Sequence, residues 1–168
     1  MEPIQQVKRV LQQLLAAHQE LLALEKKKEQ VLIEDRTQEL VPILHDESKI
    51  LKKINELENE REYWVEQYFL SKAFQQDSYT IRDLIQLVTH REEKENFIDL
   101  RQELQQIIEK LGQQNQLNQQ LIRQSLDYVN LTLSIFTEEP DQGFTYKKDH
   151  ASSNKASQPS RSFFDTKA

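Results

Sequence analysis

Residues 92–136 read EEKENFIDLRQELQQIIEKLGQQNQLNQQLIRQSLDYVNLTLSIF, and this stretch decides the fold. Its apolar residues recur at intervals of three and four, the period of an α-helix. At about 100° per residue, Phe97, Leu100, Leu104, Ile107, Ile108 and Leu111 fall in one sector roughly 100° wide, which Ile122, Leu126, Val129, Leu133 and Phe136 continue. A second stripe, Leu117, Leu121, Tyr128, Leu131 and Ile135, begins only after Gly112 and is centred roughly 140° from the first. Asn118, Ser125 and Thr132 lie between the stripes, and Gln116, Gln120, Arg123, Asp127, Asn130 and Ser134 form a polar back. The first sector suffices for packing along a helical hairpin formed by the rest of the chain. The second is surplus and needs a partner: another helix of this chain, a helix of another protein, or a second copy.

Composition points the same way. A chain of 168 residues with 37% hydrophobic and 30% charged residues suits one elongated domain rather than a large globular core. Two glycines and four prolines cannot supply the turns of a many-stranded sheet, so helices are the expected elements. No cysteine is present, which excludes disulfides and thiolate zinc sites. Polar and charged residues interrupt the leucines of the first 20 residues, so neither a signal peptide nor stable membrane insertion is expected, and the protein reads as cytoplasmic. The net charge is −6; five basic and three acidic residues lie from Pro140 onward, leaving 17 minus 25, or −8, on the body. An acidic body argues against a nucleic-acid partner.

Working back from the long helix, Thr89 and Glu92 resemble a capping box at its start, and Thr80 can cap a short helix through Val88. At the other end of the chain, Pro3 suits a first helical turn, and Ile4, Val7, Leu11, Leu14, Leu15, His18, Leu21 and Leu22 keep to one face of a helix running to about Ile33. Asp35 with Gln38 resembles another capping box, opening a second helix with Leu40, Ile43, Leu44, Ile50, Leu51, Ile54 and Leu57 on its apolar face. Trp64, Val65, Tyr68 and Phe69 extend it to about Phe74, while Pro42 predicts a kink or a delayed start. The expected fold is all-α: an elongated antiparallel hairpin with coiled-coil character, a short connecting helix and a long final helix. Residues 1–139 form the helical domain. Residues 140–168 read as a flexible polar tail, relieved only by Tyr146 and the Phe163, Phe164 pair near the chain end.

Chemistry finds little footing. His18, His45, His90 and His150 lack a second ligand at helical spacing, so no metal and no cofactor is expected. Gly112 and Gly143 cannot build a phosphate loop, no nucleophile elbow stands out, and the chain reads as a non-enzyme. Glu47 falls on the apolar stripe of the second helix, and a hairpin turning near Asp35 places it within about a turn of His18, its expected partner. The run Lys26 to Lys28 reads as a solvated face.

The order of long hairpin, short helix, Asn- and Gln-bearing final helix and tail resembles the FlgN family of flagellar type III export chaperones. Glu47-Ser-Lys49 through Leu51, Ile54, Leu57 and Glu60-Arg61 is similar to that family's second helix. Asn115-x-x-Asn118-x-x-Leu121-Ile122-x-x-Ser125-Leu126-x-x-Val129 is similar to its last. The closing Phe163-Phe164-Asp165-Thr166-Lys167-Ala168 resembles its Bacillus-like members. The resemblance implies a cytosolic chaperone that binds the terminal helices of hook-filament junction proteins, hook-associated proteins 1 and 3, and delivers them to the flagellar export gate without a cofactor. Clients bind the family's C-terminal part, which points to Leu117, Leu121, Gln124, Tyr128, Leu131 and Ile135 here. Tyr146, Phe163 and Phe164 become candidate contacts for the export machinery. A coiled-coil adaptor or homodimer without chaperone activity is the competing expectation.

Overall fold

A computed structural model describes residues 2–74 and 79–137. The described residues form four helices and no strand: α1 Pro3–Ile33, α2 Leu40–Ser71, α3 Ile81–Leu87 and α4 Arg91–Thr137, with a single 3-10 turn at Thr37–Glu39 before α2. The boundary at 139 and the tail from 140 to 168 lie outside the described residues.

Helix ends follow local chemistry, and three of them differ from the sequence expectation. Asp35 takes φ 53° in the left-handed region, while the Arg36 N–H bonds to the Val31 carbonyl at 2.9 Å and the Asp35 N–H to the Leu32 carbonyl at 3.4 Å. That double closure ends α1, so Asp35 terminates one helix rather than capping the next. Pro42 does delay α2: the chain passes through the 3-10 turn, and Pro42 becomes its third residue, where the missing N–H would have had no intrahelical partner. The same closure ends α2 at Ser71 instead of Phe74, with Ala73 at φ 60° and the Phe74 N–H on the Phe69 carbonyl at 3.1 Å. Thr80 caps α3 as expected, in a reciprocal box with Asp83. The start of α4 at Arg91, with the Lys94 N–H on the His90 carbonyl, is two residues beyond Thr89.

Helix α1 is central. It packs against α2 on one side and α4 on the other, and no Cα of α2 comes within 8 Å of α4. Arg9 pairs with Glu60, Glu20 with Lys53 at 3.5 Å, and Lys28 with Glu47, which makes α1 and α2 antiparallel around residues 36–37. The hairpin therefore sets Glu47 opposite Lys28, ten residues from His18. His18 instead places Nδ1 2.7 Å from the Leu14 carbonyl oxygen in its own helix.

The main core fills the end of the bundle that holds the start of α1. Val7, Val10, Leu11 and Leu14 of α1 meet Val65, Tyr68 and Phe69 of α2, Leu84 and Ile85 of α3, and Phe97 of α4, which is fully buried. Phe69 stacks on Tyr79 with ring centroids 4.3 Å apart. Farther along, Glu25, Lys28, Glu47 and Asn118 form a buried polar knot linking all three long helices. Lys28 is thus not part of a solvated face, unlike its neighbours Lys26 and Lys27. Gly112 faces open space: beyond its own helix backbone nothing lies within 4 Å of where a Cβ would sit, so no helix approaches closely there.

Candidate functional site

The register between α1 and α4 defines the site. Gln5 bonds to Glu93, 88 positions on; Glu29 accepts from Gln114, 85 positions on; and Glu25 accepts from Asn118, 93 positions on. The two helices thus run parallel with an offset of about 88. Ile33, the last residue of α1, falls beside position 121 on that offset, yet α4 continues to Thr137. Those 16 further residues project about 24 Å past the end of the hairpin.

The projection overturns one expectation about the first stripe. Its early members behave as core, with Phe97 and Ile107 buried and Leu100 and Leu104 half-buried. Ile108 is exposed, and from Ile122 onward Leu126, Val129, Leu133 and Phe136 are exposed as well, Phe136 at 81%. They are not a continuation of the core, because α1 has ended before they are reached. Among the described elements α4 contacts only α1 and α3.

The second stripe is also open. Leu117 is 39% exposed, Tyr128 71%, Leu131 60% and Ile135 67%; Gln124 is exposed, and Leu121 is half-buried. No helix of the described chain covers this face, so an intramolecular pairing for it does not occur there. The two stripes together leave the end of α4 apolar on two sides, neither covered by another described element. Tyr146, Phe163 and Phe164 lie outside the described residues.

At the base of the projection the polar knot holds α4 onto α1. Asn118 is 1% exposed and donates to the Glu25 carbonyl at 2.9 Å and to its carboxylate at 2.7 Å, leaving its own Oδ1 without a partner. Lys28 donates to both Glu25 and Glu47. Burial drives both carboxyls toward protonation. Glu25 nonetheless ends below its ordinary value, because hydrogen bonds from Glu47, Lys28 and Asn118 favour its ionised form. Glu47 ends above, through burial and the neighbouring Glu25 carboxyl. This cluster organises helix register. Among the described residues no group of three or more His, Asp, Glu or Cys could hold a metal ion, and no helix is long and apolar enough to cross a membrane.

Sequence reading found the second stripe but missed that half of the first belongs with it. The signal was available in the helix lengths, since a 47-residue helix running beside one of 31 residues must outrun it.

Comparison with known proteins agrees with the resemblance in the sequence. The family model described as FlgN protein matches residues 1–154. The uncharacterized protein YvyG of Bacillus subtilis (strain 168) is 31% identical over 161 residues, spanning 94% of this chain and 94% of that protein. No solved structure matches the chain.

Proposed function

Because the chain belongs to the FlgN family of flagellar export chaperones, we propose that it is a cytoplasmic chaperone for hook-associated proteins 1 and 3, docking their amphipathic terminal helices on the projecting end of α4. The observation that carries this reading is the open stripe of Leu117, Leu121, Tyr128, Leu131 and Ile135 on a helix that no other described element covers beyond position 121. Gln124 lies along the same stripe and supplies a polar contact. Burying five large side chains at about 2 kcal/mol each yields roughly 8–12 kcal/mol gross. Subtracting association and ordering costs leaves affinities of about micromolar or better, tight enough to keep a client monomeric and weak enough to release it. Anchors at intervals of three, four and seven are those of helix-in-groove recognition. Covering the client's own assembly helices prevents premature polymerisation by occlusion, a step that needs no nucleotide and no catalytic group. Delivery to the export gate is assigned to residues 140–168, with Tyr146, Phe163 and Phe164 as anchors.

The test uses hook-associated proteins 1 and 3 from the same organism, with binding measured by sizing and titration calorimetry. Tyr128→Asp combined with Leu131→Asp should preserve helicity and abolish binding, whereas removal of the chain after Glu139 should preserve binding and weaken contact with the export gate. A folded double variant that still binds client sinks the proposal. Wild-type chain that dimerises through this stripe and ignores both clients points instead to a homodimeric adaptor.

A further inference from the structure

Between α1 and α4 lies an open groove of about 320 Å³ lined by Leu22, Lys26, Lys110, Gln113, Gln114 and Leu117. Leu117 is also the first member of the second stripe. At 100° per residue Lys110, Gln114, Leu117, Tyr128 and Ile135 fall in one sector of α4 about 60° wide, so groove and stripe form one continuous face. From Lys110 to Ile135 that face is about 38 Å long.

The charge on this face is opposite to that of the body. Residues 1–139 carry a net charge of −8, yet two lysines line the groove, and none of the ion pairs among the described residues involves Lys26 or Lys110. Most other described lysines in the hairpin are engaged: Lys28 with Glu25 and Glu47, Lys49 with Asp46, Lys52 with Glu56, and Lys53 with Glu20. The two acids nearest Lys26 on the same helix are both held by other groups: Glu25 by Lys28 and Asn118, and Glu29 by a hydrogen bond from Gln114 at 2.6 Å. Two uncommitted ammonium groups beside an apolar floor favour a carboxylate-bearing occupant.

We infer that the Lys26 and Lys110 groove selects the charge of the docked helix: its occupant is an amphipathic helix of another protein carrying acidic side chains beside one end of its apolar stripe. The apolar stripe supplies affinity and is indifferent to which leucine-rich helix lies on it. The lysine pair supplies discrimination and fixes which end of the helix lies toward the bundle. The inference rests on the reading of α4 as the docking helix and adds a selection rule to it.

Two synthetic helical peptides of about 25 residues, long enough to match the face, test the rule without knowledge of the natural client. They share one Leu/Ile stripe and differ only in having Glu or Lys at the positions flanking one end of it. Net charge alone would favour the Lys peptide on this acidic protein, so the groove makes the opposite prediction. The Glu peptide should bind about ten-fold more tightly in low salt, and raising the salt should shrink the gap. Lys26→Glu combined with Lys110→Glu, checked for unchanged helicity and melting, should reverse the preference. Equal binding of both peptides, or a preference untouched by the double variant, overturns the inference. If that binding is still lost in the Tyr128→Asp, Leu131→Asp protein, the docking reading survives. Binding that persists in the latter protein, or absent from wild type, counts against both. Self-association of wild type that the lysine variants abolish gives the groove to a second copy and also overturns the inference.

Discussion

Asn118 on α4 donates 2.7 Å to the Glu25 carboxylate on α1, across 93 positions of sequence, in the last third of α1. Four residues later the exposed part of α4 begins. The bond fixes where the bundle stops and the projection starts. Asn118→Asp would add a third acid to the Glu25 and Glu47 pair and is expected to cost about 3 kcal/mol. Asn118→Leu loses the two donated bonds but also removes the unpartnered Oδ1, and should cost less than about 1.5 kcal/mol. Urea unfolding of the two variants checks the order; Leu proving the worse substitution would mean that the amide, rather than the charge balance, holds the register.

Lys28 serves two carboxylates, Glu25 and Glu47, and all three are buried. Lys28→Met strands both acids and should cost about 3–5 kcal/mol. Glu47→Gln leaves the Lys28 and Glu25 pair intact, so its cost should stay below about 1.5 kcal/mol. Equilibrium unfolding of the two single variants ranks them, and equal costs would show that Glu25 alone does not neutralise Lys28.

Alkaline pH should weaken the fold through two groups. Burial works against the Lys28 charge, but its hydrogen bonds to Glu47 and Glu25 outweigh that and hold its pKa above the ordinary lysine value. Burial, aided by the nearby Glu93 charge, holds the Tyr68 hydroxyl above the ordinary tyrosine value. In both cases the native state keeps a proton that the unfolded chain releases, so the stabilisation is complete below the unfolded pKa and is lost as pH rises past about 10. Denaturation series across that range should show a steeper fall for wild type than for Tyr68→Phe. Matching slopes would remove Tyr68 from the account.

Glycine and alanine occupy each other's better positions here. Gly112 sits in the interior of α4 facing open space, so Gly112→Ala should stabilise by about 1 kcal/mol. Ala73 closes α2 at φ 60°, where a Cβ is unfavourable, and Ala73→Gly should stabilise by about 0.5–1 kcal/mol. Thermal melts should rise for both. A fall for Gly112→Ala would reveal a need for flexibility in α4 that its open surroundings do not suggest.

Exposure of the late first stripe has a measurable consequence. Leu126→Asp with Val129→Asp should change unfolding free energy by less than about 1 kcal/mol, since both residues are already in solvent. Phe97→Ala, in the same stripe but inside the core, should cost about 3–5 kcal/mol. A large loss from the Leu126, Val129 pair would show that α4 is covered along this face after all.

Much of the fold was legible because it is written in local periodicity and local caps. The spacing of Val7, Leu11 and Leu14 located α1, Thr80 marked α3, and Pro42 forecast the late start of α2. Asp35 misled, because an Asp before a helix and an Asp after one look alike until the sign of φ is known. His18 and Glu47 misled for a related reason: pairing across the hairpin depends on where the turn closes, and a few residues of error there moves every partner.

The sequence by itself determined that the chain is helical, that α4 has two apolar faces, and that Leu117, Tyr128, Leu131 and Ile135 share one of them, since a helix fixes the direction of each side chain by its own geometry. Only the tertiary structure decided which parts of those faces are covered. Cover depends on the offset between α1 and α4, and that offset is held by contacts such as Gln5 with Glu93 and Glu25 with Asn118, which join residues far apart in the chain. The parallel register ends α1 near position 121, and for that reason the two apolar stripes, different at their start, reach the end of α4 alike in being exposed.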